Sequence, residues 1–166
     1  MGKRSDFERK PRDFYETPWE AVVPLLPFLG EKFEFMEPCA GAGKLIGHLE
    51  VAGGTCIHAS DIHPLKDGIK QQDFFSIKEF PAQVITNPPW DRNLLHSMIY
   101  HVMLYSDKPF WLLFDADWMH TKQSADYMKK CSDVVSIGRV KWFPDTKMTG
   151  KDNCCWYRFD KHTTQT

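Results

Sequence analysis

The chain has 166 residues, 42% hydrophobic and 26% charged, the balance of a globular domain with room for one sizeable core. Its net charge of −1 excludes a global basic signature for nucleic acid, and no apolar run approaches the roughly 18 residues of a membrane span. The start, Met1-Gly2-Lys3-Arg4-Ser5-Asp6, lacks the apolar stretch of a signal peptide, and Asp6 stands where an acylation signal needs Ser or Thr. A cytoplasmic protein is expected, without membrane contact.

Residues 1–13 read as a flexible polar arm, rich in base through Lys3, Arg4, Arg9, Lys10 and Arg12, and residues 14–166 as one domain. Trp19, Val22, Val23 and Leu26 repeat at helical spacing, with Pro24 and Pro27 shortening or kinking the helix. Phe33 to Met36 reads as a strand running into Glu37-Pro38-Cys39-Ala40-Gly41-Ala42-Gly43, followed by a helix from about Lys44 to Val51. Cys56 to Ser60 reads as a second strand ending at Asp61, and a third short element lies near Asp73-Phe74. Gln83-Val84-Ile85-Thr86 is a buried β-branched strand, and Leu94, Leu95, Met98, Ile99, Val102 and Met103 recur on one helical face. A strand at Phe110 to Phe114 and a helix from Ser124 to Cys131 follow. Two alternating strands, about Val134 to Phe143 and Cys154 to Phe159, close the chain around a polar loop.

Strands alternating with helices imply an α/β architecture: a Rossmann-like, doubly wound, mostly parallel sheet with an antiparallel C-terminal hairpin. The five cysteines lack the paired spacing of a zinc site. Cys39, Cys56 and Cys131 are expected to be reduced, buried residues, and no metal is expected.

Asn87-Pro88-Pro89-Trp90 follows the Gln83–Thr86 strand directly. Two prolines fix two φ angles and remove two backbone donors, and Asn87 is pushed toward an extended conformation. The product is a stiff corner presenting an amide, carbonyl acceptors and an aromatic plane. It suits a flat substrate bearing an amino group: adenine, cytosine or a glutamine amide. Gly41-Ala42-Gly43 lets a ligand approach the backbone at a helix start, although many strand-to-helix turns contain glycine for local reasons. No third glycine stands at dinucleotide spacing, and P-loop spacing is absent. Asp61 can accept from ribose hydroxyls or be an ordinary turn aspartate. Asp73-Phe74 offers an acceptor beside an apolar face, or a surface carboxylate beside a core ring. A second basic group, Arg139, Lys141, Lys147 and Lys151, can meet phosphates if it converges on the Asn87 corner.

Taken in order, these positions resemble class I S-adenosylmethionine-dependent methyltransferases, and look most like the adenine-specific (N6) DNA amino-methyltransferases, including small phage-encoded ones. The resemblance runs from about Tyr15 to the C-terminus and implies the seven-stranded class I methyltransferase fold, with S-adenosyl-L-methionine as cofactor. Tyr15-Glu16-Thr17-Pro18 resembles the family's aromatic-x-Thr-Pro segment near the cofactor's methionine portion. Glu37, Pro38, Cys39, Ala40, Gly41 and Gly43 resemble the cofactor loop. Asp61 matches the ribose-holding acid, with Ile62 beside the adenine ring, and Asp73 and Phe74 match the pair that meets the cofactor's adenine. Asn87, Pro88, Pro89 and Trp90 match the catalytic corner, with Asn87 also lining the cofactor site. Lys141-Trp142-Phe143 and Gly150-Lys151-Asp152-Asn153 are similar to the late hairpin of phage members.

The implied chemistry is methyl transfer to the exocyclic amino group of adenine in DNA. The Asn87 side-chain oxygen and the Pro88 carbonyl would accept the two N–H bonds of the amine. Trp90 would stack on the extruded base, a contact worth roughly 1–3 kcal/mol. Only about 75 residues follow Trp90, too few for a separate target-recognition region, so specificity is short, relaxed, or shared with a homodimer mate or another partner. The competing readings are methylation of RNA adenine or of a protein glutamine amide, and a non-catalytic cofactor- or nucleic-acid-binding accessory module.

Overall fold

Alternation along the apolar runs determines the architecture. Phe35, Ile85, Trp111, Leu113 and Trp156 belong to one buried layer, whereas Met36, Val84, Leu112, Phe114 and Tyr157 belong to the other. Period-2 alternation with both faces apolar requires a sheet covered on both sides. The computed structural model describes residues 15–143 and 149–164, so the basic arm of residues 1–13 and Lys147 lie outside the described residues.

Trp19–Val22 form one α-turn (α1), which tightens into a 3-10 helix at Val23–Phe28 where Pro24 and Pro27 remove donors. Strand β1 is Phe33–Glu37, helix α2 is Lys44–Val51, and strand β2 is Gly54–Asp61. The short third element is strand β3, Lys70–Gln71, with a 3-10 turn at Phe74–Ser76 capped by the Asp73 carboxylate. Strand β4 is Gln83–Thr86, helix α3 is Arg92–Tyr105, and strand β5 is Phe110–Asp115. Helix α4 is Ala125–Met128, and strands β6 (Cys131–Arg139) and β7 (Asn153–Phe159) end the fold.

The described residues make a seven-stranded sheet of order β3-β2-β1-β4-β5-β7-β6. The first five strands in that order pair in parallel, and β7 pairs antiparallel with both β5 and β6. Apolar residues of α1 and α2 cover one face and those of α3 the other, the doubly wound arrangement expected. Polar tips of the buried aromatics are satisfied: Trp156 Nε1 donates to the Ala21 carbonyl at 2.8 Å and the Tyr157 hydroxyl to the Asp115 carbonyl at 2.7 Å. No helix among the described residues is long and apolar enough to cross a membrane.

Three expectations need correction. The helix expected from Ser124 to Cys131 is a single turn, because Cys131 pairs with Phe159 in the β6–β7 ladder and that pairing outweighs helix propensity. The strand expected from Val134 to Phe143 runs from Cys131 and stops at Arg139, where Gly138 takes a left-handed φ of 72°. The fully buried cysteines are Cys154 and Cys155, in strand β7 between β5 and β6, whereas Cys39, Cys56 and Cys131 are only partly buried.

The chain lays down β1, β2 and β3 outward in one direction and then returns to place β4 on the other side of β1. Where strand order reverses, the connections diverge and leave a crevice beyond the carboxyl ends of the strands. Here that crevice lies between β1 and β4, beside Glu37 and Asn87.

Candidate functional site

A cavity of about 390 Å³ occupies this crevice. Adjacent strands deliver its polar groups: Asn87 follows β4, Glu37 ends β1, Asp61 ends β2, and Asp73 follows β3. Three strand spacings separate the first from the last, roughly 14 Å, so the cavity suits an elongated ligand laid across the sheet edge. Tyr15, Thr17, Pro38, Cys39, Ala40, Gly41, Ile62, Phe74, Pro88 and Pro89 also line it. Of the residues expected at the site, Pro18, Gly43 and Trp90 do not line the cavity. Pro18 caps α1, and Gly43 turns the chain into α2 with a φ of 82° that an L-residue adopts only with strain.

The floor is built around Glu37, which is 1% exposed. Its Oε1 accepts from the Thr86 hydroxyl at 2.5 Å and from the Cys39 backbone N–H at 2.9 Å. Burial pushes its pKa up to about 8; the Asp61 charge adds to this, and the two hydrogen bonds oppose it. A carboxyl buried this way, with no cationic side chain bonded to it among the described residues, is poised to ionise against a positive ligand group. Desolvation, followed by the Glu37 charge, holds the Cys39 thiol well above the usual range, which disfavours the thiolate.

Asp61 performs a structural task that its position in the sequence does not disclose. Its Oδ2 accepts from the Gly41 backbone N–H at 2.8 Å and its Oδ1 from the His63 N–H at 2.7 Å. The carboxylate therefore ties the glycine loop to the end of β2. Further backbone bonds, Ala40 N–H to the Ser60 carbonyl at 2.9 Å and Leu65 N–H to the Gly41 carbonyl at 3.0 Å, complete the strap. Each oxygen keeps a second lone pair for a hydroxyl. Asp73 has a comparable double position, since Oδ1 caps the following turn through the Phe75 N–H at 2.9 Å while the residue lines the cavity. Phe74 is 6% exposed, packed on Phe75, His101 and Phe110, and Ile62 stands half-exposed at the mouth.

At the other end, Asn87 is held on both sides of its amide. Nδ2 donates to the Thr17 hydroxyl at 3.3 Å and to the Tyr15 carbonyl at 3.5 Å, and Oδ1 accepts from Trp90 Nε1 at 3.1 Å. Trp90 is partly buried, with ring centroids 5.3 Å from Phe114 and 5.7 Å from Trp142. Trp142 and Phe143 also pack on Tyr15, at 6.0 and 5.9 Å. The segment after β6 thus converges on the Asn87 corner.

Sequence reasoning missed several residues. Thr86, fully buried beneath Glu37, had one signal: a hydroxyl in an apolar strand directly before the corner. Leu94 and Met98 line the cavity from α3, yet their spacing cannot be told from that of core neighbours. Phe75, Leu65 and the Glu16–Lys44 ion pair, 3.7 Å apart at the rim, carried no signal of their own.

No family model matches the chain, and no curated protein matches it. Solved structures do. A candidate RNA methyltransferase from Pyrococcus horikoshii is similar at TM-score 0.63 and 16% identity, over 89% of this chain and 86% of that one. A dimethyladenosine transferase from Plasmodium falciparum gives 0.55 and 13%, over 87% of this chain and 63% of that one. SMU.472, a candidate methyltransferase complexed with S-adenosylhomocysteine (SAH), gives 0.52 and 12%, over 95% of this chain and 55% of that one. At such identities the likeness carries the fold, and the chain has the class I methyltransferase fold.

Proposed function

We propose that this protein is an S-adenosylmethionine-dependent methyltransferase that modifies the exocyclic amino group of adenine in nucleic acid, with DNA as substrate. The observation that carries this reading is the shared cavity. The Asn87-Pro88-Pro89 corner and the Glu37, Asp61 and Asp73 carboxylates open into one space across the switch point of the sheet.

The residues present fit the cofactor. Glu37 is a buried carboxyl suited to a cationic amino-acid end. Asp61 and the glycine loop offer acceptors and backbone amides for a ribose, and Ile62, Phe74 and Phe75 offer apolar faces for a purine beside the Asp73 acceptor. When bound, S-adenosylmethionine supplies an activated sulfonium methyl group.

The chain's own contribution is orientation. An exocyclic aromatic amine is a poor nucleophile because its lone pair is delocalised into the ring. Asn87 Oδ1 and the Pro88 carbonyl, fixed by the two prolines, would accept the amine's N–H bonds and favour a pyramidal nitrogen with its lone pair aimed at the methyl group. With the cofactor bound, the nitrogen would accept its methyl group, the thioether would be released, and one amine proton would pass to solvent. No covalent intermediate on the protein is required.

RNA adenine is the second reading, favoured by the names of two similar structures, a candidate RNA methyltransferase and a dimethyladenosine transferase. The test is transfer of labelled methyl from the cofactor to DNA, RNA and protein pools, followed by nucleoside and peptide analysis. N6-methyladenine in DNA, lost in Asn87→Ala with cofactor affinity retained, is the expected result. Label confined to RNA selects the second reading. Label in protein alone, or none in any pool, overturns both.

A further inference from the structure

We propose that Trp90 is a positioning residue: its indole N–H locks the Asn87 amide with the oxygen turned toward the target amine. The catalytic half of this proposal rests on the methyl-transfer reading above. The lock itself does not.

An amide has two chemically opposite ends. Asn87 presents an acceptor at Oδ1 and two donors at Nδ2, and the ends are alike in size, so packing alone does not choose between them. A neighbour with one fixed role does. The Thr17 hydroxyl donates or accepts and tolerates either orientation. The Tyr15 carbonyl accepts only, which favours Nδ2 on its side, but at 3.5 Å it is a weak guide. The indole Nε1–H donates only, lies 3.1 Å from Oδ1, and therefore demands the oxygen. An inverted amide would set an N–H against the indole N–H and offer a donor to an amine that itself needs an acceptor.

The surroundings fix the indole in turn. Phe114 packs against it with an interplanar angle of 52°, and Trp142 meets it edge-on at 87°. Trp90 touches both buried layers of the fold, and it is absent from the cavity wall that Asn87, Pro88 and Pro89 form. Packing against two rings holds the indole N–H in place beside the amide. One lone pair of Oδ1 goes to the indole and the second remains for the substrate. A phenylalanine at this position would keep the aromatic surface and lose the lock.

Two measurements separate the lock from its consequence. In a 15N–1H spectrum of the full chain, Asn87→Ala should shift the Trp90 indole N–H resonance upfield and raise its solvent exchange at least tenfold. An indole resonance that stays in place overturns the proposal whatever the enzyme does. For Trp90→Phe, folded by the same spectrum, kcat for methyl transfer should fall about tenfold or more while KM for the nucleic acid stays within about twofold. An unchanged kcat also overturns it. If the wild-type chain methylates no pool, the proposed function fails, and the spectral arm still decides whether the lock exists.

Discussion

The Glu37 carboxyl couples this fold to pH. Its pKa is pushed from an ordinary value of 4.5 to about 8, chiefly by burial. Between those values the folded chain retains a proton that the unfolded chain releases, so its contribution to stability declines as pH rises from about 4.5 through about 8. Glu37→Gln keeps an acceptor for the Thr86 hydroxyl and the Cys39 N–H, and removes the titration. The variant should therefore melt above wild type at pH 9 and lose that advantage near pH 5, read by thermal denaturation across the range. Binding carries the opposite sign. A cationic ligand prefers the ionised carboxylate, so affinity for the cofactor should rise with pH up to about 8, and binding at pH 7 should release a proton. Calorimetry in two buffers of different ionisation enthalpy measures that release; no buffer dependence would mean that Glu37 does not face the ligand's charge. Glu37 was legible in the sequence as the head of a glycine loop. Its titration was not, because the burial that shifts it is made by tertiary packing; even its hydrogen-bond partner Thr86 lies 49 residues away.

At the scale of elements, what the sequence disclosed and what it hid differ in the range of the interactions involved. Helix α2 and strand β4 stand where periodicity put them, because their burial patterns are local and regular. The expected helix through Cys131 failed because the β6–β7 ladder is made with residues nearly thirty positions away. Asp61 shows the same division inside the site. Its place at a strand end was readable, and its bond to the His63 amide is local, whereas its bond to the Gly41 amide depends on where α2 returns the chain. This double use changes what a mutation reports. Asp61→Ala should weaken cofactor binding by about 1.5–3 kcal/mol, the range for a hydrogen bond to a charged group. It should also raise hydrogen exchange at the Gly41 and His63 amides before any ligand is added. Reduced affinity with unchanged exchange would assign Asp61 to the ligand alone; faster exchange with normal affinity would make it only a strap.

For the molecule as a whole, the proposed nucleic-acid substrate raises the question of how a chain of net charge −1 would hold a polyanion. A global field would not do it, so the positive charge would have to be concentrated where the substrate enters. The antiparallel hairpin is the place to test. Beyond β6 the chain is tied back to α1 by the Lys141 N–H, which donates to Glu20 Oε1 at 3.1 Å, and Trp142 then packs on both Tyr15 and Trp90. Arg139, Lys141 and Lys151 belong to this same segment, which the Gly150 N–H closes by donating to the Val140 carbonyl at 2.9 Å, and they are the basic residues to test for that role. Replacing the three with glutamine should flatten the dependence of log affinity on log salt by about 0.9 for each phosphate no longer neutralised, while cofactor affinity stays at the wild-type value. Fluorescence anisotropy with labelled DNA and RNA from about 50 to about 200 mM salt reads the slope directly. A slope that does not change would place the polyanion on another face of the molecule, and the hairpin would then serve the corner only through Trp142.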